Sequence, residues 1–233
     1  MGMNDLFGAA GAKPKLITVL TSGTGTYIPT VDNARCLIRR QGAGGGGGGG
    51  IAGGTPLGSG GSAGAYVETT ERIPIAGVTY AIGAKGIGGT SGDGTSGGAT
   101  RFNNVTAPGG LGGKGNNGGA VLGQNGAFLI TGDVATGNFG LINGVSGGAS
   151  GNSSGNKGYA PGFSITGTTG NGQSTASANT SGGGDAVRGK GGNGGPTGTD
   201  ASGPGGGGGG SSSAGVKGGD GGTGEVEVWD YGA

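Results

Sequence analysis

Catalysis needs reactive side chains at short, usable spacings, and this chain of 233 residues offers few of them. It has no histidine and one cysteine, Cys36, so the common metal sets, a Ser/His relay and an intramolecular disulfide all lack their parts. The carboxylates are scattered. Glu68 and Glu71 share one strand-like segment, Glu225 and Glu227 another, and Asp93 and Asp133 fall among turn residues; none has the look of a glycosidase pair. Residues 184–191 read GDAVRGKG, close to a phosphate loop. Gly191 stands where the magnesium-binding hydroxyl belongs, and no strand precedes the segment and no helix follows it. A calcium-binding nonapeptide needs aspartate at the sixth place of G-G-x-G-x-D, and neither Asp93 nor Asp220 is placed so. Glycosylation sequons at Asn104, Asn152 and Asn179 mean little without a secretion route. The expectation is a protein that is not an enzyme and holds no cofactor and no metal.

Recognition chemistry is better supplied. Residues 121–145 read VLGQNGAFLITGDVATGNFGLINGV and are richer in apolar side chains than their surroundings; residues 158–165, GYAPGFSI, carry Tyr159 and Phe163. Two readings stand. In one, these segments are extra strands or plugs that bury their aromatics. In the other, they are loops held out by a scaffold, and Phe128, Asp133, Asn138, Phe139, Tyr159 and Phe163 form a binding surface. Loops on a rigid support are where binding usually sits, and aromatic side chains make good anchors there.

The scaffold that would hold such loops is written in glycine, 73 residues of it. Residues 109–120 read GGL-GGK-GNN-GGA, with glycine at 109, 112, 115 and 118. The register returns at 215–226 (GVK-GGD-GGT-GEV), at 188–196 (RGK-GGN-GGP), and at 86–98 with a break at Thr95. A period of three belongs neither to an α-helix nor to a strand but to the polyproline II helix, whose N–H and C=O groups point sideways and need outside partners. With glycine facing inward, such helices can pack closely. Proline is too scarce, at 8 residues, and the triplet too irregular for collagen. A G-G-x helix has one decorated stripe and suits the rim of a bundle. The bare runs at 44–50 and 205–210 suit its middle. The competing picture is a flexible Gly/Ser coil.

Strand signals bracket these runs. Residues 15–28 (KLITVLTSGTGTYI) read as a β-hairpin, 34–40 (ARCLIRR) as a strand with Cys36 and Ile38 on one face, and 65–75 (AYVETTERIPI) and 78–82 (VTYAI) as further strands. Residues 224–233 (GEVEVWDYGA) alternate like a half-solvated strand and are expected to close the N-terminal sheet. The predicted fold is all-β with little or no α-helix: a small β-sandwich head whose glycine-rich excursions pack as polyglycine II helices. Its parts are an N-terminal arm at 1–14, a head at 15–85 plus 216–233, and a glycine-rich region with distal loops at 86–215. With 30% hydrophobic residues a single large core is out of reach, and 11% charged residues with a net charge of +1 give no electrostatic case for nucleic acid. The N-terminus lacks a long apolar signal segment and no run approaches membrane-spanning length, so neither classical secretion nor membrane insertion is expected.

These segments together resemble the glycine-rich domain of bacteriophage tail fibre and tail-tip proteins. The likeness lies in LITVLTSGTGTYIP, in ARCLIRR running into GAGGGGGGG, and in GAYVETTERIPI, VTYAIGAKGIGG, TRF at 100–102 and GEVEVWDYG; it covers roughly 16–84 and 216–231. The resemblance implies an adhesin of the virion, made in the host cytoplasm and carried on the tail fibre or tail tip. Its distal loops would touch a bacterial surface receptor, an outer-membrane protein or a glycan, and its other partners would be tail or fibre proteins. A homotrimer and a single chain capping a trimer are both compatible with it. The alternative is a purely structural virion protein that caps or joins a fibre. An ice-binding or cell-wall protein fits less well, because the third-place residues Leu111, Lys114, Asn117, Val216, Asp220 and Thr223 form no uniform row.

Overall fold

The computed structural model describes residues 13–50, 58–115 and 182–232, and the backbone of Phe139–Val145. The described residues form no helix. Nine strands, β1(Leu16–Leu20), β2(Thr24–Tyr27), β3(Ala34–Gln41), β4(Tyr66–Ile73), β5(Val78–Ala81), β6(Thr100–Phe102), β7(Val105–Ala107), β8(Phe139–Val145) and β9(Glu225–Asp230), make two antiparallel sheets. One has the order β1-β9-β3-β4-β8 and the other β2-β5-β6-β7.

Alternation places the core. Ala34, Cys36 and Ile38 of β3, Ile73 of β4 and Val226 and Val228 of β9 face inward from the larger sheet. They meet Tyr27 of β2 and Phe102 of β6 from the smaller one, so the sheets pack as a sandwich. Arg40 continues the inward row of β3 and is fully buried. Its guanidinium lies 5.5 Å from the centre of the Phe102 ring, donates to Thr69 Oγ1 at 2.7 Å and pairs with the Glu71 carboxylate. Asn103 Nδ2 donates to the other oxygen of Glu71 at 3.1 Å.

The closing strand is where alternation predicts it: β9 lies between β1 and β3, with Ile17 opposite Trp229 on one side and Leu37 opposite Trp229 on the other. The predicted hairpin over 15–28 does not form. β1 pairs with β9 and β2 with β5, in different sheets. The turn sequence between them carries the chain across the sandwich, with Gly23 at a φ of 75°, because Leu20 and Tyr27 both drain into the shared core from opposite sides.

Glycine rods leave one end of the sandwich. From Gln41 the chain runs into an extended rod at 42–50 whose nine N–H groups are all donated, in strict rotation, to three neighbours. Gly42, Gly45 and Gly48 donate to the carbonyls of Ala65, Ser62 and Ser59; Ala43, Gly46 and Gly49 to Gly98, Thr95 and Gly92; Gly44, Gly47 and Gly50 to Gly222, Gly219 and Val216, at 2.8–3.2 Å. Its carbonyls from 43 to 48 accept, in the same rotation, from 110 and 113, from 86 and 89, and from 208 and 211. Three residues per turn thus become six neighbours: three antiparallel rods that take the N–H groups and three parallel rods that serve the carbonyls. The ring closes on itself, since Gly97 donates to Gly110, Ser62 to Leu111, Gly61 to Gly208, Gly222 to Gly206, Gly221 to Gly86 and Thr95 to Ile87.

The second all-glycine run is a second centre. The seven carbonyls from 205 to 211 all accept main-chain N–H groups, from the rods at 58–64, 219–222 and 192–195. Both bare runs are interior, and the G-G-x segments at 109–115 and 215–224 are rim rods. The register of the latter is functional: Gly215, Gly218, Gly221 and Gly224 donate in turn to Gly50, Gly89, Gly86 and Gly83. The segment at 86–98 is not one rod with a break at Thr95. It folds back at Ser91, which has a φ of 56°, into two antiparallel rods. Sheet and rod segments therefore alternate along the chain.

Candidate functional site

The rods give the molecule two chemically different ends. At the near end they run into β3, β4, β5, β6, β7 and β9. At the far end lie the turns at 89–92, 195–198 and 211–215, together with Gly50, Gly58 and Gly115, where the segments at 51–57 and 116–138 meet the described chain. The segment at 51–57 therefore begins and ends at the far end, and the segment at 116–138 joins the far end to β8 of the large sheet.

Third-place side chains fix the rods on the rim, where a neighbouring rod is missing and an N–H group needs another acceptor. Ser62 Oγ accepts from Leu111 N at 2.8 Å, Ser59 Oγ from Lys114 N at 2.7 Å, and Thr95 Oγ1 from Ile87 N at 2.7 Å. Carboxylates do the same with added charge. Asp93 at the tip takes the Gly115 N–H at 2.9 Å and the Lys114 ammonium at 2.8 Å, and these two contacts hold its carboxyl below the usual range. Asp220 is the strongest latch. Burial pushes its carboxyl up, but the Lys217 ammonium at 2.6 Å, the Gly88 N–H at 2.9 Å and the Lys85 ammonium at 2.9 Å outweigh it and hold the group at about 2.

The phosphate-loop look-alike resolves into another such device. Asp185 is fully buried, its Oδ1 accepts the Gly191 N–H at 2.6 Å, and burial pushes the carboxyl up to about 6. Arg188, three residues after Asp185, reaches the outer face of the large sheet, 2.8 Å from Glu225 and 2.5 Å from Glu227. Arg39 lies there too, 4.7 Å from the Trp229 ring centre and 2.8 Å from Glu68. These contacts pin the 185–191 turn to the sandwich. The four carboxylates singled out from the strands divide accordingly: Glu71 is inside the sandwich, while Glu68, Glu225 and Glu227 are in this outer ion-pair layer. No group of three or more metal-ligating side chains occurs among the described residues.

Of the six candidate binding residues, Phe139 is the first residue of β8, with Glu71 as its Cα partner on β4. That backbone is sheet rather than loop. Phe128, Asp133, Asn138, Tyr159 and Phe163 lie outside the described residues. The tip side chains that the sequence reading did not single out as a binding set are Thr90, Ser91, Lys114, Pro196, Thr197 and Lys217, all exposed. No residue type or spacing in the sequence marks them. No protein-family model matches the chain, and no curated protein is significantly similar to it.

Proposed function

We propose that this chain is a bacteriophage receptor-binding or tail-tip protein that attaches the virion to its host through loops carried at the far end of a polyglycine II bundle. The observation that carries the reading is the division of the molecule: a sandwich at one end, and at the other the rod turns and the junctions of two further segments. A bundle whose centre has every N–H bonded is stiff enough to hold variable loops in place, which is what recognition on a cell surface asks of a scaffold. The sequence resemblance points the same way. The receptor is an outer-membrane protein or a surface glycan, the other partners are tail or fibre proteins, and the chain acts by binding rather than by catalysis.

The test is binding of the purified, fluorescently labelled protein to a panel of Gram-negative bacteria, beside a Phe128→Ala/Tyr159→Ala/Phe163→Ala variant. Phe139 is left intact because its backbone is part of β8. Strain-selective binding that drops at least about tenfold in the variant is the expected result, as loss of aromatic anchors gives. A folded protein that binds no strain would favour the structural cap.

A further inference from the structure

We propose that the free edge of β1 is a docking site for an extended strand of another protein chain, by which the sandwich end is mounted in an assembly. The inference goes beyond what the tip binds and holds for an adhesin and for a cap alike.

Among the described residues, β1 ends the five-stranded sheet. An open edge presents unpaired N–H and C=O groups, and folded proteins usually blunt such edges. The others are blunted here. β2 contains Gly25, β7 is three residues long and runs into Pro108, and β8 contains Gly140 and Gly144 and pairs with β4 in a broken register. β1, by contrast, reads LITVL, with no charge, glycine or proline. Its side chains are also left out of the fold: Leu16 is 42% exposed, Ile17 48% and Val19 49%.

The groups left open among the described residues are main-chain groups in a row, so they specify the occupant as a β-strand. The flanking side chains specify its character. Ile17 and Val19 share one face, so the incoming strand carries apolar residues at alternate places and no charge beside them. Position separates a foreign strand from a second copy. β1 starts at the end of the sandwich opposite the rods, where Lys15 N donates to Asp230 O at 2.7 Å and the exposed Ile28 and Ile75 also lie. Two copies joined through antiparallel β1 strands would aim their bundles in opposite directions, whereas a strand from a different chain leaves the far end free.

The site can be filled without knowing the natural partner. Gly232 lies against the Lys15 side chain, so the C-terminus is beside the start of β1. The full chain is extended beyond Ala233 by a short Gly/Ser linker and the strand Thr-Ile-Thr-Val-Thr, and compared with the same extension carrying lysine at the apolar places. Amide exchange across Leu16–Leu20 is expected to slow by about tenfold with the apolar extension only. Val19→Lys, at a half-exposed position that the fold does not use, is expected to remove the slowing while leaving the melting temperature of the unextended chain unchanged. Equal exchange with both extensions would overturn the proposal. So would a concentration-dependent dimer of the unextended chain that Val19→Lys abolishes, because the occupant would then be a second copy.

Discussion

Gly47→Ala is expected to leave the protein unfolded or aggregated, although it adds one methyl group to the residue type that helices and strands most readily exchange for alanine. Gly47 is in the middle of the central rod. A Cβ there would overlap the carbonyl of Gly209 and come within 3.0 Å of the carbonyl of Gly208, both main-chain groups. The Gly209 carbonyl cannot step back, because it accepts from Gly219 N on another rod of the same ring while Gly209 N donates to Thr199 O. Moving one rod means breaking the bonds of its neighbours, so the cost is more than about 4 kcal/mol, at the extreme of single substitutions. Gly92→Ala is the matched control. A Cβ at Gly92 meets nothing within 4 Å, and its stability should stay within about 0.5 kcal/mol of the parent. Urea unfolding of the two variants beside the parent reads the difference directly.

The second large effect lies inside the sandwich. Arg40→Met removes the cation from a pair in which both side chains are fully buried and leaves the Glu71 carboxylate with only the Thr69 hydroxyl and the Asn103 amide. An uncompensated buried charge costs about 3–5 kcal/mol. The double variant Arg40→Met/Glu71→Leu should regain most of that, because an apolar pair of similar volume is often as stable as the ion pair it replaces. A double-mutant cycle by chemical denaturation gives the coupling. Near-additive losses would mean that the pair does not act as a unit.

Much of this fold was legible because its two periods are unlike each other. Alternation found β3 and β9 and placed Cys36, Ile38, Val226 and Val228 on one face, and the period of three found the rods. The rule that bare glycine runs belong inside needs only the fact that a side chain blocks lateral approach, and both runs obeyed it. Three things were not legible. The pairing of β1 and β2 with distant strands was hidden, because the Ser22–Gly25 turn signal marks a reversal without saying which sheet the chain enters. The fold-back at Ser91 was hidden because the triplet register happens to continue through it. The six-neighbour arrangement was hidden because the bonds of the central rod run to residues up to 178 positions away, such as Gly44 to Gly222, and a local pattern carries no trace of them. The candidate site was legible only as composition: aromatics gathered in two stretches, without a spacing that says which of them share a surface.

The whole account depends on the glycine segments being a bonded scaffold rather than coil, since ordering glycine costs more backbone entropy than ordering any other residue. Native-state amide hydrogen exchange over 42–50 tests this most directly. The bonding predicts that all nine amides, from Gly42 to Gly50, exchange as slowly as those of Ala34–Gln41, through global unfolding alone. Exchange at the rate of an unstructured glycine chain would contradict it, and with it the rigid far end on which the proposed host contact rests.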